Sequence, residues 1–215
     1  MSLSIHVTEI VTARTRLRPL RAGDADALLA WQGDPETCRY LPYAPRSRAQ
    51  VADFVRKFDG VDTGAADHDR IVFGIELTSD LHGGRGRGGD GAGGAGDSSG
   101  DDAAVIARAG EVVGEQHLVL TSAENAEVEL GWVLHPVVAG RGLAGETARA
   151  VRDLVLDAGA HRLIAELDPR NTASARLCER LGMREEAHFR QNFRESGGGW
   201  ADTGIWAMLA SDPRP

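Results

Sequence analysis

Apolar residues recur along the chain with two spacings, one helical and one extended, and their alternation predicts the order of elements. An extended piece over residues 15–20 leads into a helix opened by Asp24 and closed by Gly33. Val51, Phe54, Val55 and Phe58 then stand at i, i+3, i+4 and i+7 behind Ser47 and Gln50, which have the spacing of a capping box, so a second helix is predicted there. Residues 70–77, RIVFGIEL, have the β-branched and aromatic content of a strand, and residues 104–120 read as a hairpin turning at Ala109-Gly110. Between residues 126 and 134, Val128, Leu130, Trp132 and Leu134 alternate onto one face of a strand. Ala148, Val151, Val155 and Ala158 follow at helical spacing up to Gly159. After a strand at 162–167 and a turn at Asp168-Pro169, residues 171–181 form a helix with Ala173, Leu177 and Leu181 on its buried face, ended by Gly182. Two strands, 188–193 and 203–209, are joined through ESGGGW. Strands therefore dominate both ends, around one β-loop-α-β unit.

One stretch breaks the pattern. Residues 82–100, HGGRGRGGDGAGGAGDSSG, hold ten glycines and nothing apolar larger than alanine. Such a run cannot bury enough surface to offset its chain entropy, so a disordered insertion is expected. The remainder suits a single domain over 15–210 with an N-terminal extension, 1–14, and a short tail, 211–215: the chain has 215 residues, 42% of them hydrophobic, enough for one core and too few for two comfortable ones. No run approaches the roughly 20 apolar residues of a membrane span, and no signal-peptide pattern opens the chain, so a soluble, cytoplasmic protein is expected. A net charge of −8 argues against a nucleic-acid partner and mildly favours a cationic or amine-bearing one. Cys38 and Cys178 lie far apart outside any CxxC pair, and the histidines form no HxH or HxxxH pair, so free thiols and no metal site are expected.

The chemistry concentrates after residue 134. AGRGLAG, residues 139–145, sits between a strand and a helix, where glycines expose backbone N–H groups at the positive end of the helix dipole, an arrangement built for phosphate. No Lys-Ser or Lys-Thr follows, so this is not a P-loop; Glu166 leaves a dinucleotide reading weakened but open. About thirty residues on comes NTASARLCERLGM, a helix with an asparagine cap and a closing Leu-Gly-Met. Together these motifs resemble the GCN5-related N-acetyltransferase (GNAT) superfamily, whose loop of type Q/R-x-x-G-x-G/A is matched at 139–144. TRLRPLRAGDADALLAW, ELGWVLHPVVAGRGLAGETARAV and AHFRQNFRESGGGWADTGIWAML resemble its ribosomal-protein N-terminal (RimJ/RimL-type) acetyltransferase branch, over nearly all of 15–209 except the glycine-rich run.

The resemblance implies a three-layer α+β fold in which helices flank a central, mostly antiparallel, splayed sheet. It also implies an acetyl-CoA site, or one for another acyl-CoA. Pyrophosphate would sit on the N–H groups of Gly140, Arg141, Gly142, Leu143 and Ala144, with Arg141 adding charge. The pantetheine arm would run along Trp132, Val133 and Leu134, with Asn171, Ser174 and Arg176 facing the cofactor. Asn171 also reads as a plain helix cap and Arg176 as a solvated charge. Ala139 departs from the loop pattern, which a backbone cradle tolerates. Cys178 stands where many members carry a tyrosine acid; it reads either as that acid or as core packing.

Ser174 matches the serine that in this branch is proposed to protonate the leaving thiolate, while the glutamate expected nineteen residues later is Phe193, with Glu195 two positions on. Glu129 is the candidate general base, or simply a strand charge in the alternation Glu127, Glu129, Gly131. Tyr40 and Tyr43 are candidates to line the acceptor side, or hydrophobic cover. The expected activity is transfer of an acyl group to a primary amine, a protein N-terminus or a small molecule such as an aminoglycoside or polyamine. A non-catalytic acyl-CoA-binding domain and a nucleotide-binding module are the rival readings. Monomer and homodimer are both compatible.

Overall fold

The computed structural model describes residues 2–83, 104–195 and 197–215. Short strands β1 (Ile5–His6) and β2 (Ile10–Val11) precede β3 (Thr15–Pro19), helix α1 (Ala25–Gln32) and helix α2 (Arg48–Phe58). Then come β4 (Thr63–Gly64), β5 (Arg70–Leu77), β6 (Leu81–His82), β7 (Val105–Ala107), β8 (Val112–Ser122) and β9 (Glu127–Leu134). Helix α3 (Leu143–Asp157), β10 (Arg162–Leu167), α4 (Thr172–Arg180), β11 (Arg184–Arg194) and β12 (Trp200–Leu209) complete the chain. The expected capping box on α2 forms: Ser47 N–H donates to Gln50 Oε1 at 2.8 Å, and Gln50 N–H donates back to the Ser47 hydroxyl.

Eight strands form one sheet in the order β11-β12-β10-β9-β8-β5-β3-β2. Every neighbouring pair is antiparallel except β9 with β10. That parallel pair is joined through α3, and its pairing stops early: only Arg162–Ile164 lie against Glu127–Glu129, although β9 continues to Leu134 and β10 to Leu167. The sheet therefore opens between the two strands while each stays paired on its far side. Alternation along β9 assigns the layers. Val128 and Leu130 pack with the α3 and α4 residues Val151, Val155 and Leu177, whereas Val133 packs with Leu28, Trp31, Val51 and Val55 of α1 and α2. The result is the expected three-layer α+β fold.

Four details differ from the sequence reading. Residues 105–107 and 112–122 are not the arms of one hairpin: the turn at Ala109-Gly110 forms, with Glu111 N–H donating to the Arg108 carbonyl, but Gly110 and Glu111 bond to Leu77 at the end of β5, and β7 pairs with β6 while β8 pairs with β5 and β9. Ala158 and Ala173 are exposed, while Ala148, Val151 and Val155 are buried on α3 and Leu177 and Cys178 on α4. The tail is tied down, with Arg152 donating to the carbonyls of Leu181 and Pro215. The glycine-rich run lies, from residue 84 on, outside the described residues.

The fourth difference is the N-terminal segment, which belongs to the fold. Leu3, Ile5 and Val7 are buried, Leu3 N–H donates to the Ala123 carbonyl, and β1 pairs with β4. Deleting residues 2–7 is expected to lower unfolding free energy by roughly 5 kcal/mol, since a buried aliphatic side chain contributes about 1.5–3 kcal/mol. Urea denaturation of the two chains measures this, and equal stability would refute it.

Candidate active site

Where β9 and β10 part, a cavity of about 690 Å³ opens, in the range of small-molecule sites. Glu129, Gly131 and Val133, on one face of β9, line it, and so do Leu130 and Trp132, on the other. The lining reaches from Tyr40, Tyr43 and Arg46 before α2 to Asn171 and Ser174 at the start of α4, so both helical layers border it at the splay. Two ligands approaching from opposite layers can therefore meet inside it.

On the α4 side, Asn171 caps the helix, its side-chain oxygen accepting from Ser174 N–H at 3.1 Å, and both residues line the cavity. The Trp132 indole N–H donates to the Ser174 hydroxyl at 3.3 Å, a strap from β9 to α4 across the opening. Arg176 projects from the exposed face of α4 and does not line the cavity. Cys178 is fully buried, and burial pushes its thiol up to about 12, which places it with the core in native protein. Phe193 and Glu195 both line the cavity; Glu195 is held by Arg170, which also pairs with Asp168.

The loop after β9 turns through Gly140 (φ 73°) and Gly142 (φ 79°), both in the left-handed region, and Gly142 caps α3. Among the described residues the backbone N–H groups of 140–145 make no hydrogen bond, the orphan donors expected at a helix start. A Cβ on Gly140 would meet nothing within 4 Å, so the loop's outer side is open. Leu143 is buried beneath it and Ala144 half-buried. The Arg141 guanidinium donates to the His82 carbonyl at 2.9 Å, tying the loop to the β6-β7 pair. These free donors, with the splay beside them, fit a pyrophosphate and an extended arm that pairs with the unpaired edge of β9.

On the opposite layer, Tyr40 and Tyr43 line the cavity with Arg46, whose guanidinium stacks over the Tyr43 ring at 4.0 Å and over the Phe54 ring at 4.5 Å. The Tyr43 hydroxyl is buried without a hydrogen-bond partner among the described residues. Glu129 faces the cavity beside Glu166. Burial, and next the like charge of Glu166, raise the Glu129 carboxyl above its ordinary value, against the opposing pull of Arg70 and His117.

Sequence reasoning missed the support beneath both halves. Thr12, Arg14 and Glu146 brace the glycine loop from below. Gln32, Glu115 and His117 form a polar cluster under α1 and α2. Glu115 and His117 alternate in VVGEQHLVL as solvent-facing strand residues do; only the helices covering that face reveal them as interior.

Comparison with known proteins fixes the family. The model of the acetyltransferase (GNAT) domain matches residues 14–184. The chain belongs to the GNAT acetyltransferase family. Acetyl-CoA is that family's acyl donor, supplying an activated thioester, and the loop and splay are the parts of this GNAT chain that suit it. An uncharacterized N-acetyltransferase of Bacillus subtilis, YnaD, is 33% identical over 85 residues, 39% of this chain and about half (49%) of that relative's length. An acetyltransferase structure from Bacillus anthracis superposes with TM-score 0.71 at 24% identity, covering 94% of this chain and 99% of that one. More distant GNAT folds include a spermidine N-acetyltransferase from Vibrio cholerae in complex with CoA and spermine (TM-score 0.63, 17% identity, 91% and 95% covered). Another is RimL, a ribosomal L7/L12 α-N-protein acetyltransferase in complex with CoA (TM-score 0.65, 14% identity, 93% and 96% covered).

Proposed function

We propose that this GNAT chain transfers the acetyl group of acetyl-CoA to a primary amine, first of all the α-amino group of a peptide or protein. The observation that carries this reading is the cavity at the β9–β10 splay, lined by Asn171 and Ser174 at the start of α4 on one side and by the Tyr40–Tyr43 wall on the other, with the glycine loop following β9 directly. The thioester enters from the α3–α4 side and the amine from the α1–α2 side, and the reaction is direct attack of nitrogen on the thioester carbonyl. Holding the two in line supplies most of the acceleration.

The α-amino group suits this mechanism because, with a pKa near 8, about a tenth of it is neutral at pH 7, against about one in a few thousand for lysine near 10.4. Glu129 and Glu166 give the acceptor wall an anionic side that draws an ammonium inward. The Ser174 hydroxyl accepts from Trp132 and keeps its own proton for the departing thiolate, in keeping with the RimJ/RimL-type resemblance. A small polyamine is the second acceptor reading, favoured by the same carboxylates together with Asp168 and Asp202 on the cavity wall.

The test is CoA release from acetyl-CoA with spermidine and with peptides bearing free serine, alanine or methionine N-termini. Amine-dependent release that is faster for a peptide than for its N-terminally blocked form supports the first reading. Release with spermidine alone supports the second. Acetyl-CoA binding without release on any amine would leave a binding domain.

A further inference from the structure

Glu115 is fully buried in the middle of β8, and a carboxylate there is costly unless its charge is answered. Its two oxygens each accept, at 2.9 Å, from Gln32 Nε2, a neutral donor. Gln32 is itself fully buried, and Arg46 fixes its orientation by donating to Gln32 Oε1 at 2.8 Å. The only titratable cation-former within ion-pair distance of Glu115 among the described residues is His117, two positions along the strand on the same face, with Nε2 3.5 Å from Glu115 Oε1. The imidazole lines the cavity, and its Nδ1 has no hydrogen-bond partner among the described residues. Opposite it in register stands Gly131, where a Cβ would come within 3.6 Å of the His117 Cβ. The missing side chain leaves the ring facing the cavity at the point where β9 parts from β10.

We infer that His117 is the group that takes the proton from the acceptor's ammonium, and that buried Glu115, held by Gln32 and Arg46, is a positioning residue that fixes the ring and balances the imidazolium. The inference rests on the acetyl-transfer reading above. A carboxylate behind an imidazole holds it in one tautomer, with Nε2–H toward the carboxylate and Nδ1 free to accept, and stabilises the charged ring that results. The protons balance. Nδ1 takes one proton from R–NH3+ and passes it to solvent after turnover. The neutral nitrogen bonds to the thioester carbon, the C–S bond breaks, and the second N–H proton ends on the CoA thiol. Glu129, on the cavity wall, then serves as the anion that draws the ammonium toward Nδ1. The charged or titratable groups around the ring are Glu115 on its own strand, Glu129 from β9, Glu166 from β10, Arg70 from β5, and Tyr43 and Arg46 from the segment before α2; Gln32 and Phe54 from the helices carry no charge.

The experiment is amine-dependent CoA release across pH 6–10, with the best acceptor from the amine screen, for the natural chain, His117→Gln, His117→Ala with and without added imidazole, and Glu115→Gln. His117→Gln is expected to lower kcat/KM for an α-amino acceptor at pH 7 by about tenfold, the shortfall of neutral amine at that pH, with acetyl-CoA affinity by calorimetry unchanged. The deficit should close toward pH 10, where solvent has already deprotonated the acceptor. Imidazole should restore activity to His117→Ala, and Glu115→Gln should lower kcat without weakening acetyl-CoA binding. A deficit that is constant across pH and not rescued by imidazole, or near-natural activity in His117→Gln, overturns the assignment while the acetyl-transfer reading stands. Absence of release by the natural chain on every amine overturns both.

Discussion

Gly142→Asp is expected to remove measurable acetyl-CoA binding while leaving the fold intact. Aspartate is among the few side chains that tolerate the left-handed conformation Gly142 adopts (φ 79°, ψ 2°), and it is a favoured residue at a helix start. The nearest atom to a Cβ there, Arg14 Nη2, stands at an ordinary 3.6 Å, so there is also room. The same properties defeat the ligand. An aspartate at the N-cap accepts from the N–H groups of the first helical turn, the donors a pyrophosphate needs, and adds a negative charge at the positive end of α3. We expect the Kd for acetyl-CoA to rise by at least about 100-fold, ~2.7 kcal/mol, with a melting temperature only a few degrees below that of the natural chain, since aspartate is among the side chains least strained at φ 79°. Gly142→Asn has the same shape without the charge and should fall between the two. Calorimetric titration beside a thermal melt checks all three; undiminished affinity in Gly142→Asp would mean the phosphates sit elsewhere.

The glycine loop was legible because it is a local feature: Gly140, Gly142 and the start of α3 are contiguous in sequence, and the conformations they require are set by adjacent residues. The same holds for the α2 capping box, the Asn171 cap and the alternation along β9. Tertiary context decides the rest. Residues 105–107 look like a hairpin arm because a turn follows them, yet their partner is β6, on the far side of the glycine-rich run. Glu115 and His117 carry the polar alternation of a surface strand, and α1 and α2, some sixty to eighty residues earlier in the chain, convert that surface into interior. Ile5 and Val7 precede any periodic segment, and the strand that holds β1 in place is β4, nearly sixty residues on. Arg176 shows the converse: its helix is legible, but which side faces the splay depends on how α4 packs on β10.

Arg14 and Glu146 carry the other large expected effect. Glu146, in the first turn of α3, complements the helix dipole but stands one turn from donors meant for phosphate, where an uncompensated anion would repel the ligand. The N-terminal segment neutralises it. Thr12 Oγ1 donates to Glu146 Oε1 at 2.6 Å, Arg14 N–H donates to the same oxygen at 2.8 Å, and the Arg14 guanidinium donates to Oε2 from Nε at 2.8 Å and from Nη2 at 2.7 Å. Arg14 Nη1 reaches on to the Arg141 carbonyl at 3.0 Å, so one side chain both cancels the charge and props the loop. Arg14→Ala should therefore weaken acetyl-CoA binding by about tenfold, ~1.4 kcal/mol. The double variant Arg14→Ala/Glu146→Ala should recover part of that loss, the non-additivity expected of a coupled pair. Equal affinity in the single and double variants would show that Glu146 exerts no repulsion. Glu146→Ala alone should cost about 2 kcal/mol of stability, the scale of hydrogen bonds to a charged group. Burial alone would raise the Glu146 carboxyl, but the bonds from Thr12 and Arg14 outweigh it and hold it below its ordinary value. A depressed folded-state pKa makes this contribution full above the ordinary glutamate pKa near 4.3, and it is lost as pH falls through the lowered value. The stability gap between the natural chain and Glu146→Ala should accordingly be constant from pH 8 to pH 6 and shrink below pH 4. A gap that widens in acid would reverse the sign and remove Glu146 as an ionised brace.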